Sequence, residues 1–315
     1  MKFRKKIQTD YARFFLLVVL YALLSGCSKN ELYIDGGTID PGTLPDLSGL
    51  SWVEGDLFIG IHDAKATPEK ENWPRISLIR LPQSELEGVI FQPIYLIFPG
   101  PGGPSSDMES ACSFPGGRDF FFVESGQEGV NYRRIFHAEY TNGLLSIKSY
   151  ADWPVEIKNV EATEVTQVGQ HFVFLYAERA EGADSTMVRW AVVSLNPLTF
   201  GTFDEVVYHA VDPVGPGARP IVAMDIDKYG FIYIVSAYDS GSDDGPYRSV
   251  VWQIGKIFPD GEGNPAVTLN MNNRLGNLDG LKVESIAIRE LTDGVKQIYI
   301  GTDDEHYGGM MRLLP

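Results

Sequence analysis

Cysteine and histidine are scarce, two and five residues in a chain of 315. No CxxC pair is present, and two cysteines cannot build a disulfide-stapled scaffold. A GxSxG elbow, an HExxH helix, a phosphate-cradling GxxxxGK loop and a Rossmann glycine pattern are also missing. Any catalytic site must therefore be assembled from residues dispersed over loops. Positive charge is short too: Lys and Arg total 26 against 42 Asp and Glu, a formal charge of −16. Because Lys2, Arg4, Lys5, Lys6 and Arg13 crowd the N-terminus against Asp10 alone, the remainder is more acidic still. Such a surface repels phosphate backbones and excludes nucleic acid as a partner, which leaves cations, cationic ligands and neutral glycans. No segment sustains a helical period of apolar residues.

What the chain does contain is a five-fold repeat. A short alternating segment, a turn and an aromatic-rich strand ending on a carboxylate recur at 48–63 (SGLSWVEGDLFIGIHD), 109–124 (ESACSFPGGRDFFFVE), 161–178 (EATEVTQVGQHFVFLYAE), 222–239 (VAMDIDKYGFIYIVSAYD) and 284–303 (ESIAIRELTDGVKQIYIGTD). The starts lie roughly 50–60 residues apart, too long for a solenoid coil and suited to one four-stranded blade with generous loops. The expected fold is all-β, a five-bladed β-propeller over residues 46–315. Alternation and turn residues predict strands at 50–53, 56–62, 75–81 and 89–98 in the first blade, and a fourth-blade outer strand at 266–271. Pro- and Gly-rich stretches such as 99–104 and 212–220 read as ordered junction loops. The last repeat ends without an outer strand. Residues 31–35 (ELYID) are expected to supply it and so cover an exposed edge; the alternative is a tether over 27–45.

The N-terminus carries an address. Residues 1–13 are basic, 14–24 almost wholly apolar, and Leu24-Ser25-Gly26-Cys27 follows. This is a secretory signal, too short to span a bilayer comfortably. The four residues resemble the lipobox of bacterial lipoproteins, which implies removal of residues 1–26 and lipidation of Cys27 with acyl chains such as palmitate. Several chains, at about 0.8 kcal/mol per buried CH₂, make a stable membrane anchor. Ser28 stands where many such proteins carry an inner-membrane retention Asp, so the expected address is the outer membrane of a bacterial envelope, periplasmic or surface-exposed. With Cys27 lipidated, Cys112 has no disulfide partner and reads as a small buried thiol.

In a propeller the loops after the second strand and before the first emerge on one face. The second strands end at Asp63, Glu124, Glu178, Asp239 and Asp303, the last followed by Asp304, Glu305 and His306; the junctions add Asp107, Glu109, Glu161 and Glu284. Such an acidic rim either accepts loop N–H groups and pairs with Arg179, Arg219, Arg248 or Lys282, or holds a hard cation such as Ca²⁺. The metal-ligand candidates are Asp63, Glu109, Glu124, Glu161, Glu178, Asp239, Glu284, Asp303 and Asp304. His62, His306 and Glu284 are the catalytic candidates.

The segments 283–287 (VESIA) and 300–305 (IGTDDE), with Gly308-Gly309 after them, resemble blades of bacterial propellers of the esterase-like phytase family. That resemblance implies a periplasmic or surface propeller, Ca²⁺-dependence and hydrolase activity as one option; it assigns no catalytic residue. Two functions remain open. One is a membrane-tethered binding or scaffold module for a glycan, small molecule or protein; the other is a Ca²⁺-dependent hydrolase of a phosphoester, ester or glycan.

Overall fold

Runs such as Leu57–Ile61 and Asp119–Glu124 are apolar at successive positions because they form strands covered on both faces. The computed structural model describes residues 45–82, 88–292, 294–303 and 308–315. Blade 1 comprises β1 (Gly49–Glu54), β2 (Leu57–Ile61), β3 (Ile76–Arg80) and β4 (Ile90–Ile94). Blade 2 holds β5 (Met108–Ser113), β6 (Asp119–Glu124), β7 (Arg134–Thr141) and β8 (Leu144–Asp152). Blade 3 is built from β9 (Val160–Val168), β10 (His171–Glu178), β11 (Ser185–Leu195), β12 (Leu198–Phe200) and β13 (Asp204–His209). In blade 4 the strands are β14 (Ala218–Ile226), β15 (Phe231–Asp239), β16 (Tyr247–Pro259), β17 (Pro265–Thr268) and β18 (Asn273–Asp279). Blade 5 has β19 (Val283–Glu290), β20 (Lys296–Thr302) and β21 (Met311–Leu313).

All pairings are antiparallel. The first strands β1, β5, β9, β14 and β19 pack each beside the next, and β19 returns to β1. The chain is a five-bladed β-propeller. Each of its five blade interfaces holds its own apolar cluster, for example Ile61 and Ile76 of blade 1 against Phe120 and Phe122 of blade 2. Burial falls outward: β9 is buried at all but one position, whereas β13 is mostly exposed.

Blade 4 departs from the expected strands. The segment predicted as its outer strand, 266–271, overlaps β17, which pairs with the far end of the long β16; β18 pairs with the near end and completes the blade. Blade 3 repeats the device, β12 and β13 dividing β11 between them. The outer position of β18 leaves it largely exposed, so its sequence, NRLGNLD, shows no apolar alternation to find.

Closure between blades 5 and 1 depends on Leu47, which precedes β1. Its N–H donates to Thr302 O at 2.9 Å and its carbonyl accepts the Ser285 hydroxyl at 2.9 Å. Its fully buried side chain packs with Phe58, Tyr299 and Met311. Gly301 is glycine because a Cβ there would run into Leu47 and the Ser285 hydroxyl. The candidate closing strand at 31–35 lies outside the described residues. Truncating Leu47→Ala removes packing from the seam that closes the ring; we expect a loss of about 2–5 kcal/mol in urea unfolding, and an unchanged midpoint would remove this seam from the account.

Candidate functional site

First and second strands run antiparallel, so the start of one and the end of the other share an end of the blade. The register places Met108 opposite Glu124, Val160 opposite Glu178 and Val283 opposite Thr302. At these same positions the register slips: between Met108 and Ser110, between Val160 and Ala162, and between Val283 and Ser285. Glu109, Glu161 and Glu284 are therefore each the extra residue of a β-bulge at the start of a first strand. A bulge re-aims its side chain out of the ladder. Here all three glutamates line one polar cavity of about 270 Å³ at the mouth of the central channel.

The same cavity is lined by Asp46, Asp63, Asp107, Asp239 and Asp303, with Lys65, Arg179, Arg219 and Lys282 among them. Lys65 Nζ pairs with Asp107 and lies 3.0 Å from Asp63 Oδ1. Arg179 holds Glu161 Oε1 at 2.9 Å, and Arg219 bridges Asp239 at 2.7 Å and Glu284 at 3.0 Å. Lys282 lies 2.7 Å from Asp303 Oδ2 and 3.5 Å from Glu284 Oε1. Asp239 also accepts the Gly241 N–H at 2.7 Å, fastening the loop that follows it. The rim is thus a ring of alternating charge with acids in excess.

Burial pushes Glu109 well above the ordinary carboxylate range, and the charges of Asp63, Glu161 and Glu284 add to it against Lys65. Glu284 is raised well above that range by burial and by Asp303, against Lys282. Glu161 is pushed up to about 7 by burial, with Arg179 pulling it down. Its Oε2 is buried and has no hydrogen-bond partner among the described residues. Asp63 is raised by burial, opposed by Lys65; burial disfavours the Lys65 ammonium, but Asp63 and Glu109 outweigh it and hold it charged.

These shifts have a consequence for stability. Groups with pKa values raised on folding bind protons more tightly in the folded state, so their contribution is full below the ordinary carboxylate range. It is lost as pH rises through each folded value, about 7 for Glu161. The melting temperature is expected to fall between about pH 5 and about pH 8, and less steeply in Glu161→Gln. Parallel profiles for the two proteins would contradict this.

The other rim candidates fall elsewhere. Glu124 is fully buried behind the mouth, held by Arg134 through Nη2 at 2.6 Å and Nε at 2.9 Å and by the Ser105 hydroxyl at 2.8 Å. Arg134 also donates to Pro99 and Gly103 carbonyls, so the pair fastens the Pro/Gly junction loop. Glu178 accepts the Lys158 N–H at 3.2 Å and does not line the cavity. His62 reaches the cavity edge, yet it is buried, with Nδ1 2.7 Å from Asp46 O and Nε2 2.8 Å from Ser77 Oγ. Burial lowers its pKa to about 4, so it is a neutral structural imidazole. His306, Asp304, Glu305 and Cys27 lie outside the described residues. Cys112 is buried and its thiol is raised well above its ordinary value by burial.

Asp63, Asp107 and Glu109 each offer an oxygen within 4.8 Å of the others, a set that suits a hard cation such as Ca²⁺. In this structure the Lys65 ammonium supplies positive charge to two of the three. Lys65 was not legible as a site residue, since nothing in its loop marks it.

No family model matches the sequence, and no curated protein matches it. Among solved structures, an endo-arabinase from Bacteroides thetaiotaomicron aligns with 10% identity over 87% of this chain and 94% of its own, TM-score 0.45. An endo-1,4-beta-xylanase from the same organism aligns with 9% identity over 88% and 92%, TM-score 0.46. An alpha-L-arabinofuranosidase from Clostridium thermocellum gives 11% identity over 85% and 89%, TM-score 0.46. At such identities these likenesses assign neither residues nor substrate to this chain.

Proposed function

We propose that the channel mouth is a hydrolytic site for glycans, working by carboxylate acid–base chemistry with Glu161 as the proton donor. The observation that carries this reading is the set of three bulged glutamates aimed into one cavity, of which Glu161 has a pKa of about 7 and a free buried oxygen. A carboxyl group that burial raises to about 7 against its Arg179 partner can give a proton near neutrality, while the neighbouring aspartates stay ionised in their ion pairs, the division of labour that glycosidic cleavage needs. As the bond from the anomeric carbon to the leaving oxygen breaks, Glu161 gives its proton to that oxygen and a water molecule adds to the anomeric carbon, its own proton passing to a carboxylate of the site. Asp107, Asp239 and Asp303, each paired with a cation, supply negative charge towards the positive charge that develops on the sugar ring.

The lining argues against the other hydrolytic options. Among its described residues there is no Ser, Thr, Cys or Tyr, so a hydroxyl or thiol nucleophile for an ester is missing. A phosphoester would meet a surplus of carboxylates. Trp73, nearly half exposed at the edge of the cavity, offers an aromatic surface for a sugar ring. The test is release of reducing ends or aryl alcohol from a panel of furanosides and pyranosides. Turnover by the wild type that is lost in Glu161→Gln supports the reading; no turnover on any member would return the mouth to a binding role.

The address belongs to the same proposal. In this reading Cys27, within a lipobox-like sequence, carries the acyl chains of a lipid tether at a bacterial outer membrane. Labelled palmitate is expected to enter the wild-type protein and not Cys27→Ala; equal labelling of both would refute lipidation at this residue.

A further inference from the structure

The opposite end of the channel holds a second cavity, of about 690 Å³, built differently from the mouth. Its walls include Trp52, Phe114, Ile226 and Ile288, and its acids include Glu164 of β9 and Asp225 of β14. Several charges around it are matched. Lys228 pairs with Glu290 at 2.8 Å, Lys296 with Asp227 at 2.6 Å, and Arg289 with Asp56. Glu164 and Asp225, less exposed than Glu54 at the rim, have no Lys or Arg paired with them among the described residues. Asp225 takes backbone N–H groups of Ile226 and Ile288. Glu164, 6% exposed, accepts only the Val165 N–H at 2.8 Å, through Oε1. No hydrogen bond to its other oxygen is present among the described residues, and the side chain lines the cavity.

We infer that this cavity binds a small organic cation, a flat amidinium or ammonium compound whose charge meets Glu164 and Asp225 and whose apolar body lies against Trp52 and Phe114. Two buried acids that repel each other lack only a positive charge, and the space above them is large enough for a ligand of several heavy atoms. Burial and the charge of Asp225 hold Glu164 well above the ordinary carboxylate range, and burial pushes Asp225 up to about 7, as expected of acids without a counter-ion. A bound cation replaces that missing counter-ion, while aromatic walls select a body that is planar and apolar.

The proposal stands apart from the hydrolytic reading of the mouth and is tested by calorimetric titration of the full chain with benzamidine and with benzamide, its neutral isostere. Saturable benzamidine binding, about tenfold or more tighter than that of benzamide, is expected. Glu164→Gln and Asp225→Asn should each weaken it by about tenfold, with melting used to show that both variants are folded. Glu161→Gln, at the other end, should leave it unchanged. No saturable binding at millimolar benzamidine, or equal affinity for benzamide, overturns the proposal without recourse to any variant. Loss of binding in Glu161→Gln rather than Glu164→Gln moves the cation to the mouth and overturns it as well.

Discussion

Glu161→Gln is expected to lower glycoside turnover by about 10²–10⁴-fold while leaving the fold intact. Gln preserves the size of the side chain and one carbonyl oxygen for Arg179, which holds Glu161 Oε1 at 2.9 Å. What it removes is a proton that can be given and taken back. The direction of the pH dependence follows from the cause of the shift. Burial raises Glu161 to about 7, so the acid form needed for protonation of the leaving oxygen predominates below that value. Turnover should therefore fall on the alkaline side as Glu161 ionises. Substrates whose leaving group needs no proton should lose much less in Glu161→Gln than those that do. Equal losses on both kinds of substrate would mean that Glu161 positions the sugar and does not protonate it.

Glu124→Ala is expected to be the most destabilising change at the acidic strand ends, by about 3–5 kcal/mol in denaturant unfolding. The carboxylate and the Arg134 guanidinium are both buried, and Arg134 N–H also donates to Glu124 Oε2 at 3.0 Å. Removing the acid leaves an unpaired buried cation that still has to hold Pro99 and Gly103 carbonyls. Glu178→Ala, at the matching position of blade 3, touches only the exposed bond to Lys158 N and should cost far less. Similar losses in the two variants would show that strand-end position, and not burial of the pair, sets the cost.

That contrast shows what the repeat made legible and what it did not. The five blades could be read because their second strands are covered on both faces and so carry unbroken apolar runs, as in DFFFVE and FIYIVSAYD. The clustering of Asp63, Glu109, Glu161, Asp239, Glu284 and Asp303 could be read from strand ends alone. Equivalent position in the repeat did not separate Glu124 from Asp63, because only the side chain across the ladder decides which acid is pulled inward. Arg134, in the third strand of blade 2, does so.

The bulges are a property of pairing between strands and have no one-residue signature. Their trace is a Glu followed by a small residue where the first strand opens, as at Glu109-Ser110, Glu161-Ala162 and Glu284-Ser285. Glu164 and Asp225 were missed for a related reason. Each is an acid within a first strand, Glu164 among Thr163, Thr166 and Gln167 and Asp225 near the end of β14, and such polar positions read as an exposed face until ring closure turns that face towards the channel. The lone Lys65, on a loop without any motif, gave no signal at all.

The central claim is that the mouth of the channel is an acid–base site for glycans, and the pH–rate profile for hydrolysis of glycosides with an alkyl leaving group, which must be protonated to depart, tests it most directly. Turnover is expected to decline on the alkaline side with a midpoint near that of Glu161, about 7, and to fall by about 10²–10⁴-fold in Glu161→Gln. Failure to hydrolyse any furanoside or pyranoside of the panel across the pH range, or turnover indifferent to Glu161→Gln, would contradict it.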